Sequence, residues 1–289
     1  MPPRRPSPPR RPCPPLLLPR RVLLTALAAA LLPPLALALP PLAAPSSARG
    51  LPGPPTDRAP ADFVALTSVD PTIRQDVRYA TAANFTGGPV DGYRRPVCLL
   101  TRPAAEALHR AQRELLPRGL SLKVYDCYRP QRAVDHFVRW AADPTDERTK
   151  AEYYPRVAKD RLFADGYIAA RSGHSRGGTV DVTLVDLRRP RSGVPGRPAG
   201  ACHGPREQRR ADDSVDMGTA FDCFDTLSHT DDPRIVGAAR ENRRLLGSVL
   251  AAQGFTGLRE EWWHFTHRPE EHPDTHFDFP VTERSLRHG

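Results

Sequence analysis

Two short segments of this chain carry residue types that could hold a metal ion and use it for hydrolysis. Residues 172–181 read SGHSRGGTVD, with His174 and Asp181 seven positions apart, and residues 261–264 read EWWH. Together they offer two imidazoles, from His174 and His264, and the carboxylate of Asp181. Three protein ligands leave a fourth position open on a tetrahedral ion, which is typical of catalytic rather than structural zinc.

Glu261 supplies a further carboxylate beside one predicted ligand, although the neighbouring Glu260 competes for the same role. Metal-assisted hydrolysis needs such a group because a base must take the proton from the attacking water. Glu261 and His264 are three positions apart, so on a regular strand they would point to opposite faces. The strand must bulge, twist or end here if both serve one site. The simpler alternative places Trp262 and His264 in the core and leaves Glu261 in solvent.

The elements that must position these residues follow from hydrophobic spacing and from capping residues. A 29-residue stretch, 187–215, is rich in Pro, Gly and charge and is predicted to be a surface loop. Helices and strands do not alternate strictly, so the predicted fold is α+β, a single domain with a central antiparallel sheet flanked by helices and the zinc site at the sheet. Helices are predicted from Thr101, where Thr101 caps the first turn, to about residue 116, from Pro130, and from Asp232 to Gly254; strands are predicted over 121–128, 179–185 and 262–266.

The N-terminal region resembles an export signal. Residues 1–21 hold six arginines and no acid, and an apolar stretch over 22–39 is followed by small residues suited to cleavage. A membrane anchor is the alternative, but Pro33 and Pro34 interrupt the apolar run. We therefore expect an exported protein without stable membrane association after cleavage. The predicted organisation is an export signal over 1–44, a Pro-, Ser- and Gly-rich linker over 45–60, and one catalytic domain over 61–289.

Charge and cysteine content narrow the possible functions further. The net charge of +9 falls to +3 once the six arginines of the signal are set aside, and no arginine stripe is interleaved with aromatic residues, so we expect no nucleic-acid binding. Beyond the signal there are four cysteines, an even number that in an exported protein predicts two disulfides with three possible pairings. Four buried thiols are the alternative. The cysteines in question are Cys98, Cys127, Cys202 and Cys223.

Over residues 62–284 the chain resembles the zinc D-Ala-D-Ala dipeptidases of the VanX type, within a larger group that includes D,D-carboxypeptidases and the hedgehog zinc fold. The two segments described above carry much of the resemblance. The remaining family signatures occur in order along the chain at residues 76–81 (DVRYAT), 84–87 (NFTG), 90–93 (VDGY), 126–130 (DCYRP), 217–222 (MGTAFD), 228–229 (SH) and 277–280 (FDFP).

The resemblance implies a role for each matching residue. His174, Asp181 and His264 are implied as ligands of one zinc ion per chain, and Glu261 as the general base. Arg129 is implied to stabilise the tetrahedral oxyanion. Asp222 is implied to bind the substrate amine, with Tyr79 and Tyr93 nearby, and Ser172 to contact the substrate. The other histidines are expected at the surface or behind the site: His203, His229, His267, His272 and His276, of which His229 follows a serine in a family segment.

Two features depart from the family's resistance enzymes, namely the export signal and the cysteines Cys127 and Cys223 inside family segments. We expect Cys202 to pair with Cys223, since they bracket the end of the long loop before Asp222, and Cys98 then to pair with Cys127. The expected activity is hydrolysis of the small dipeptide D-Ala-D-Ala. The alternatives are a D,D-carboxypeptidase acting on peptidoglycan stems and a non-catalytic zinc-binding module of the hedgehog type.

Overall fold

The computed structural model describes residues 56–189 and 199–287. Seven strands and five helices lie in this part of the chain, together with short 3-10 turns. The strands are β1 Phe63–Ala65, β2 Arg74–Gln75, β3 Leu99–Thr101, β4 Leu120–Asp126, β5 Thr179–Asp186, β6 Phe255–Gly257 and β7 His264–His267. The helices are α1 Leu66–Val69, α2 Arg102–Leu115, α3 Gln131–Ala142, α4 Lys150–Tyr153 and α5 Gly237–Ala251.

The main sheet has five strands in the order β2-β4-β5-β7-β6, and β1 pairs with β3 in a separate antiparallel ribbon. All neighbours in the main sheet are antiparallel except β2 and β4, which run parallel. The predicted α+β class with a central antiparallel sheet is therefore confirmed, with one parallel edge pair added. None of the helices within residues 56–189 and 199–287 is long and apolar enough to span a bilayer.

The strands that carry the site are buried along most of their length. All but the last residue of β5 are buried, and six of the seven residues of β4 are buried. Helix α2 covers the sheet with Ala104, Leu108, Ala111 and Leu115, whose spacing of three and four residues places them on one face. Burial on both sides makes the centre of this sheet a rigid frame for side chains at its strand ends.

One predicted helix cap and one predicted helix start differ from the structure because side chains form other hydrogen bonds. The hydroxyl of Thr101 does not cap α2 but donates to Glu271 at 2.9 Å. Helix α5 was predicted to start at Asp232, yet it begins at Gly237. The Asp232 carboxylate accepts from the backbone N–H of Arg234 at 2.9 Å, a local turn that competes with helix formation.

Two predicted loop segments are more tightly packed than expected. The described part of the predicted surface loop, which includes residues 199–215, contains the buried Cys202 and Ser214, and Ser214 forms a bridge to β5. Residues 56–60 of the predicted linker also lie on the domain, because Ala59 is fully buried and its N–H donates to the carbonyl of Ser285 at 2.8 Å. The folded part thus begins before residue 61. The predicted export signal lies outside the described residues.

Candidate metal centre

Three side chains from separate parts of the chain converge at one end of the sheet. Asp181 lies on β5 directly opposite His264, the first residue of β7. His174 lies in a 3-10 turn, Gly173–Arg176, that leads into β5. Gly177 ends this turn with φ of 84°, and a Cβ added there would lie 2.3 Å from the ring of Phe63. Only glycine fits this position, so the turn is fixed in the orientation that brings His174 to the sheet.

The ligand atoms of these three residues form an equilateral triangle. The distances are 3.2 Å from His174 Nε2 to Asp181 Oδ1, 3.2 Å from His264 Nδ1 to the same oxygen, and 3.2 Å between the two nitrogens. A tetrahedral zinc ion bound at about 2.0–2.1 Å places its ligand atoms about 3.3 Å apart. The triangle therefore matches one face of such a tetrahedron. Within the described residues this is the one His/Cys/Asp/Glu group with metal-binding spacing.

The protonation of this cluster also suits a cation. The Nδ1–H of His174 donates to the carbonyl oxygen of Cys127 at 2.7 Å, which leaves the Nε2 lone pair free for a metal. Burial alone would raise the pKa of Asp181, but the nearby His174 and His264 lower it below its usual value. Asp181 Oδ1 is buried and accepts no hydrogen bond. A buried charged oxygen without a hydrogen bond is costly, and a metal ion would satisfy it.

Glu261 lies in the turn immediately before β7, with Oε2 3.4 Å from His264 Nδ1. The strand that was predicted to start at Trp262 starts two residues later, and this late start lets Glu261 and His264 face the same site. Burial raises the pKa of Glu261 to about 7, although His264 opposes the shift. Glu260, in contrast, pairs with Arg259 at 3.0 Å at the surface. The structure thus separates the two competing carboxylates.

A cavity of about 230 Å³ opens beside the triangle. Seven of the predicted site residues line it: Tyr79, Arg129, Ser172, Asp181, Asp222, Glu261 and His264. A larger cavity of about 540 Å³ is lined by other residues, including Tyr153 and Trp262, and by none of the three predicted metal ligands. The smaller cavity, beside the ligand triangle, is therefore the candidate site.

The carboxylate of Asp222 lies deep in this cavity and accepts hydrogen bonds from the hydroxyl of Tyr79 at 3.0 and 3.1 Å. Burial, with added repulsion from Asp181, raises the pKa of Asp222 well above its usual value. The backbone of Asp222 has φ of 58°, a left-handed conformation that a non-glycine residue seldom adopts. Such a residue, held in an unusual conformation, is a feature typical of functional sites.

Tyr93 lies away from its expected place, and Ser172 has a second role. Tyr93 does not line the cavity; its hydroxyl donates to Asp126 at 2.6 Å behind Arg129. Ser172 lines the cavity, but its Oγ also accepts from the backbone N–H of His174 at 3.3 Å and so caps that turn. His229 is not among the lining residues either. Of the other histidines, His267 and His276 are buried.

Asp126 is a buried residue of the site that the sequence does not single out, although it stands in the quoted DCYRP segment. Its Oδ2 accepts from Arg129 Nε at 2.9 Å and lies 3.5 Å from His174 Nδ1. A signal was present in the sequence, since an acid three positions before an arginine can pair with it.

The cysteines are bonded as Cys98–Cys127 and Cys202–Cys223, the pairs expected from the sequence. Each bond thus ends beside a site residue, Asp126 in one case and Asp222 in the other.

Known proteins match the chain over most of its folded part. The sequence profile of the D-ala-D-ala dipeptidase family matches residues 59–191 and 208–282. A D-alanyl-D-alanine dipeptidase of Streptomyces coelicolor is 43% identical over 220 residues, which cover 76% of this chain and 98% of the relative. A protein of the same name from Enterococcus faecalis is 39% identical over equal shares. The Escherichia coli protein of that name is 31% identical, over 71% of this chain and 83% of its own length.

Proposed function

The chain belongs to the D-Ala-D-Ala dipeptidase family, and from this membership we propose that it hydrolyses D-Ala-D-Ala to two D-alanines with one zinc ion per chain. It is thus a metallopeptidase of a family that is zinc-dependent in general. The observation that carries the proposal is the 3.2 Å ligand triangle, which stands beside a cavity lined by a separate base and a buried carboxylate.

His174, Asp181 and His264 would hold the zinc ion. When bound, zinc would act as a Lewis acid toward the scissile carbonyl and the attacking water. Glu261 takes the proton of that water and returns it to the leaving amine. In the metal-free site burial raises its pKa to about 7, and a general base is most effective when its pKa lies near the working pH.

Arg129 and Asp222 serve two different parts of the reacting dipeptide, the scissile carbonyl and the free amine. The guanidinium of Arg129 lines the cavity with Nη2 3.5 Å from Asp181 Oδ2, so it stands next to the site where the oxyanion develops. Asp222 accepts the substrate ammonium, with Tyr79 fixing its carboxylate. A cavity of about 230 Å³ is smaller than the roughly 300–1,000 Å³ of sites for drug-sized ligands, which favours a substrate as short as a dipeptide.

We also propose that the protein is exported and works outside the cytoplasm. The arginine-rich and apolar N-terminal stretches support export. The two disulfides support it as well, because such bonds persist mainly in oxidising compartments. Fractionation of the producing cells, with N-terminal sequencing of the mature protein, tests this point: a chain that keeps residues 1–44 and stays in the cytoplasm contradicts it.

The activity is tested with the purified chain lacking residues 1–44, loaded with zinc and offered D-Ala-D-Ala, L-Ala-L-Ala and a pentapeptide stem. We expect release of D-alanine from the first substrate only, loss of activity on chelation and recovery on addition of zinc at one equivalent per chain. Cleavage of the pentapeptide in preference to the dipeptide would instead identify a carboxypeptidase. Full activity in a metal-free sample would contradict the zinc proposal.

A further inference from the structure

Asp126, Asp181 and His264 lie side by side across three neighbouring strands of the main sheet. Asp126 on β4 is opposite Asp181 on β5, and Asp181 is opposite His264 on β7. The register of β4 shifts between Val124 and Asp126, so two residues of β4 oppose one of β5. Such a bulge re-aims the side chains around it and is often found next to active sites. Here the bulge places the carboxylate of Asp126, which is not a proposed ligand, level with that of Asp181, which is one.

Both carboxylate oxygens of Asp126 have partners inside the protein. Oδ1 accepts from the hydroxyl of Tyr93 at 2.6 Å, and Oδ2 accepts from Nε of Arg129 at 2.9 Å. Asp126 is fully buried. Burying a carboxylate is unfavourable unless a cation and hydrogen bonds compensate it. The carboxylate is therefore tied to the one cation in contact with it, the guanidinium of Arg129.

Arg129 is held on several sides. Asp126 binds Nε, and the guanidinium carbon lies 5.0 Å from the centre of the Tyr79 ring and 5.1 Å from that of Phe137. Its Nη2 faces the cavity, 3.5 Å from Asp181 Oδ2. With Nε engaged, only the terminal nitrogens remain to meet a substrate oxygen. Resting on the activity proposed above, we propose that Asp126 is the positioning residue that holds Arg129 in its oxyanion-binding orientation.

This orientation needs a restraint because of the charges around it. Asp181, Asp222 and Glu261 all line the cavity that Arg129 enters. Arg129 already lies 3.5 Å from Asp181 Oδ2. Without a fixed partner at Nε it would move closer to one of these carboxylates, and a tighter ion pair with Asp181 would compete directly with the metal. The bond from Nε to Asp126, together with the rings of Tyr79 and Phe137 against the guanidinium, defines the plane of that group.

The test compares Asp126→Asn with Tyr93→Phe in the zinc-loaded chain lacking residues 1–44. The asparagine removes the charge at Arg129 Nε, whereas Tyr93→Phe removes the other hydrogen bond of Asp126 and keeps its charge. We expect kcat to fall about 10–100-fold in Asp126→Asn, the usual effect of losing a supporting partner, with KM and zinc content changed less than about 3-fold. Tyr93→Phe should lower kcat by less than about 5-fold.

Coupling to Arg129 separates positioning from general stability. Arg129→Ala should lose about 10²–10³ in kcat, and adding Asp126→Asn to it should cost less than about 3-fold more, because the two residues act as one unit. Guanidinium chloride should restore part of the activity of Arg129→Ala but not of the double variant, which lacks the carboxylate that would bind the ion. Additive losses, or equal rescue of both, would overturn the proposal.

A measurement on the wild type keeps the proposal testable even if Asp126→Asn does not fold. In ¹⁵N spectra the Nε–H of Arg129 should exchange with solvent at least about 10-fold more slowly than that of the exposed Arg148. Equal exchange would refute the proposal without any variant. A wild type that is inactive on D-Ala-D-Ala would refute the proposed function instead, and the exchange result would still report on the Asp126–Arg129 pair.

Discussion

The imidazole of His174 donates a 2.7 Å hydrogen bond from Nδ1 to the carbonyl oxygen of Cys127, which is itself bonded to Cys98. One disulfide therefore ends at the residue that sets the tautomer and the ring orientation of a proposed zinc ligand. The other disulfide ends at Cys223, next to Asp222. The two cross-links support opposite ends of the cavity, the metal end and the end that we assign to the substrate ammonium.

Replacing each pair by alanine should therefore have different effects. Cys98→Ala/Cys127→Ala should weaken zinc binding about 10–100-fold, the range found when a ligand's supporting partner is disturbed. Cys202→Ala/Cys223→Ala should keep zinc affinity and raise KM. Each loss should lower the free energy of unfolding by about 3 kcal/mol in the chain-entropy picture, so the two variants are matched in stability. Zinc titration measures the affinity and steady-state kinetics measure KM. Identical effects in the two variants would contradict the assignment of one disulfide to the metal end and the other to the substrate end of the cavity.

Glu261→Gln should retain zinc and lose at least about 100-fold in kcat, the scale of a positioned acid–base group. Glu260→Gln is the matched control, since Glu260 pairs with Arg259 at the surface and is absent from the cavity lining. We expect that control to stay within about 2-fold of the wild type, as surface substitutions usually do. Metal analysis and kinetics of both variants decide the matter; the reverse order of effects would show that Glu260 is the base.

Acetylating the substrate amine tests the role of Asp222. N-acetyl-D-Ala-D-Ala brings no ammonium to the cavity, so the buried carboxylate would stay without its partner. A site built around a polar partner rejects analogues that lack it by about 10⁴-fold or more in kcat/KM. Asp222→Ala should narrow this gap, while Ser172→Ala, at another part of the lining, should leave it in place. Similar turnover of the free and acetylated dipeptides by the wild type would favour the carboxypeptidase alternative.

The raised pKa of Glu261 predicts a pH dependence of stability in the metal-free protein. Between its ordinary value of 4.5 and about 7, the folded state keeps the proton that the unfolded state has lost. Because the folded state binds more protons there, this group's contribution to the free energy of unfolding falls as the pH rises through that window. We expect a loss of about 1–3 kcal/mol relative to Glu261→Gln.

Comparison with Glu261→Gln is necessary because two buried histidines outside the ligand triangle act in the opposite direction. Burial lowers the pKa of His267 and His276, so their contributions grow as the pH rises toward their unfolded value. These contributions are shared by both proteins and cancel in the difference. Urea unfolding of chelator-treated samples at pH 5 and pH 7 provides the measurement. A difference that grows in favour of the wild type at pH 7 would contradict the assignment.

The sequence predicted those parts of the structure that depend on local patterns. Helix α2 and the strand β5 were expected within one or two residues, because apolar spacing and terminal residues determine them. The mutual placement of the three proposed ligands followed from the family resemblance rather than from spacing. The sequence also indicated that the strand must be irregular between Glu261 and His264, and the structure resolves this point with a strand that starts only at His264.

Other features depend on contacts that a single sequence does not contain. Strand register and a bulge align Asp126, Asp181 and His264 across the sheet. The sequence therefore did not identify Asp126 as a site residue, although it lies in a family segment. The family resemblance implied that Tyr93 lies near the substrate, whereas in the structure its hydroxyl bonds to Asp126. Threonine is a residue type that often caps helices, yet the hydroxyl of Thr101 donates to Glu271, 170 positions along the chain.

The left-handed backbone of Asp222 has a consequence for how this chain can change over time. Glycine would relieve the backbone conformation and also remove a buried carboxyl, so Asp222→Gly should make the fold more robust while abolishing recognition of the amine. Stability of the fold and recognition of the substrate amine therefore favour different residues at position 222. A lineage released from the need to cleave dipeptides would be expected to lose this aspartate early, before the metal ligands, and a heat-selected library would discard it first.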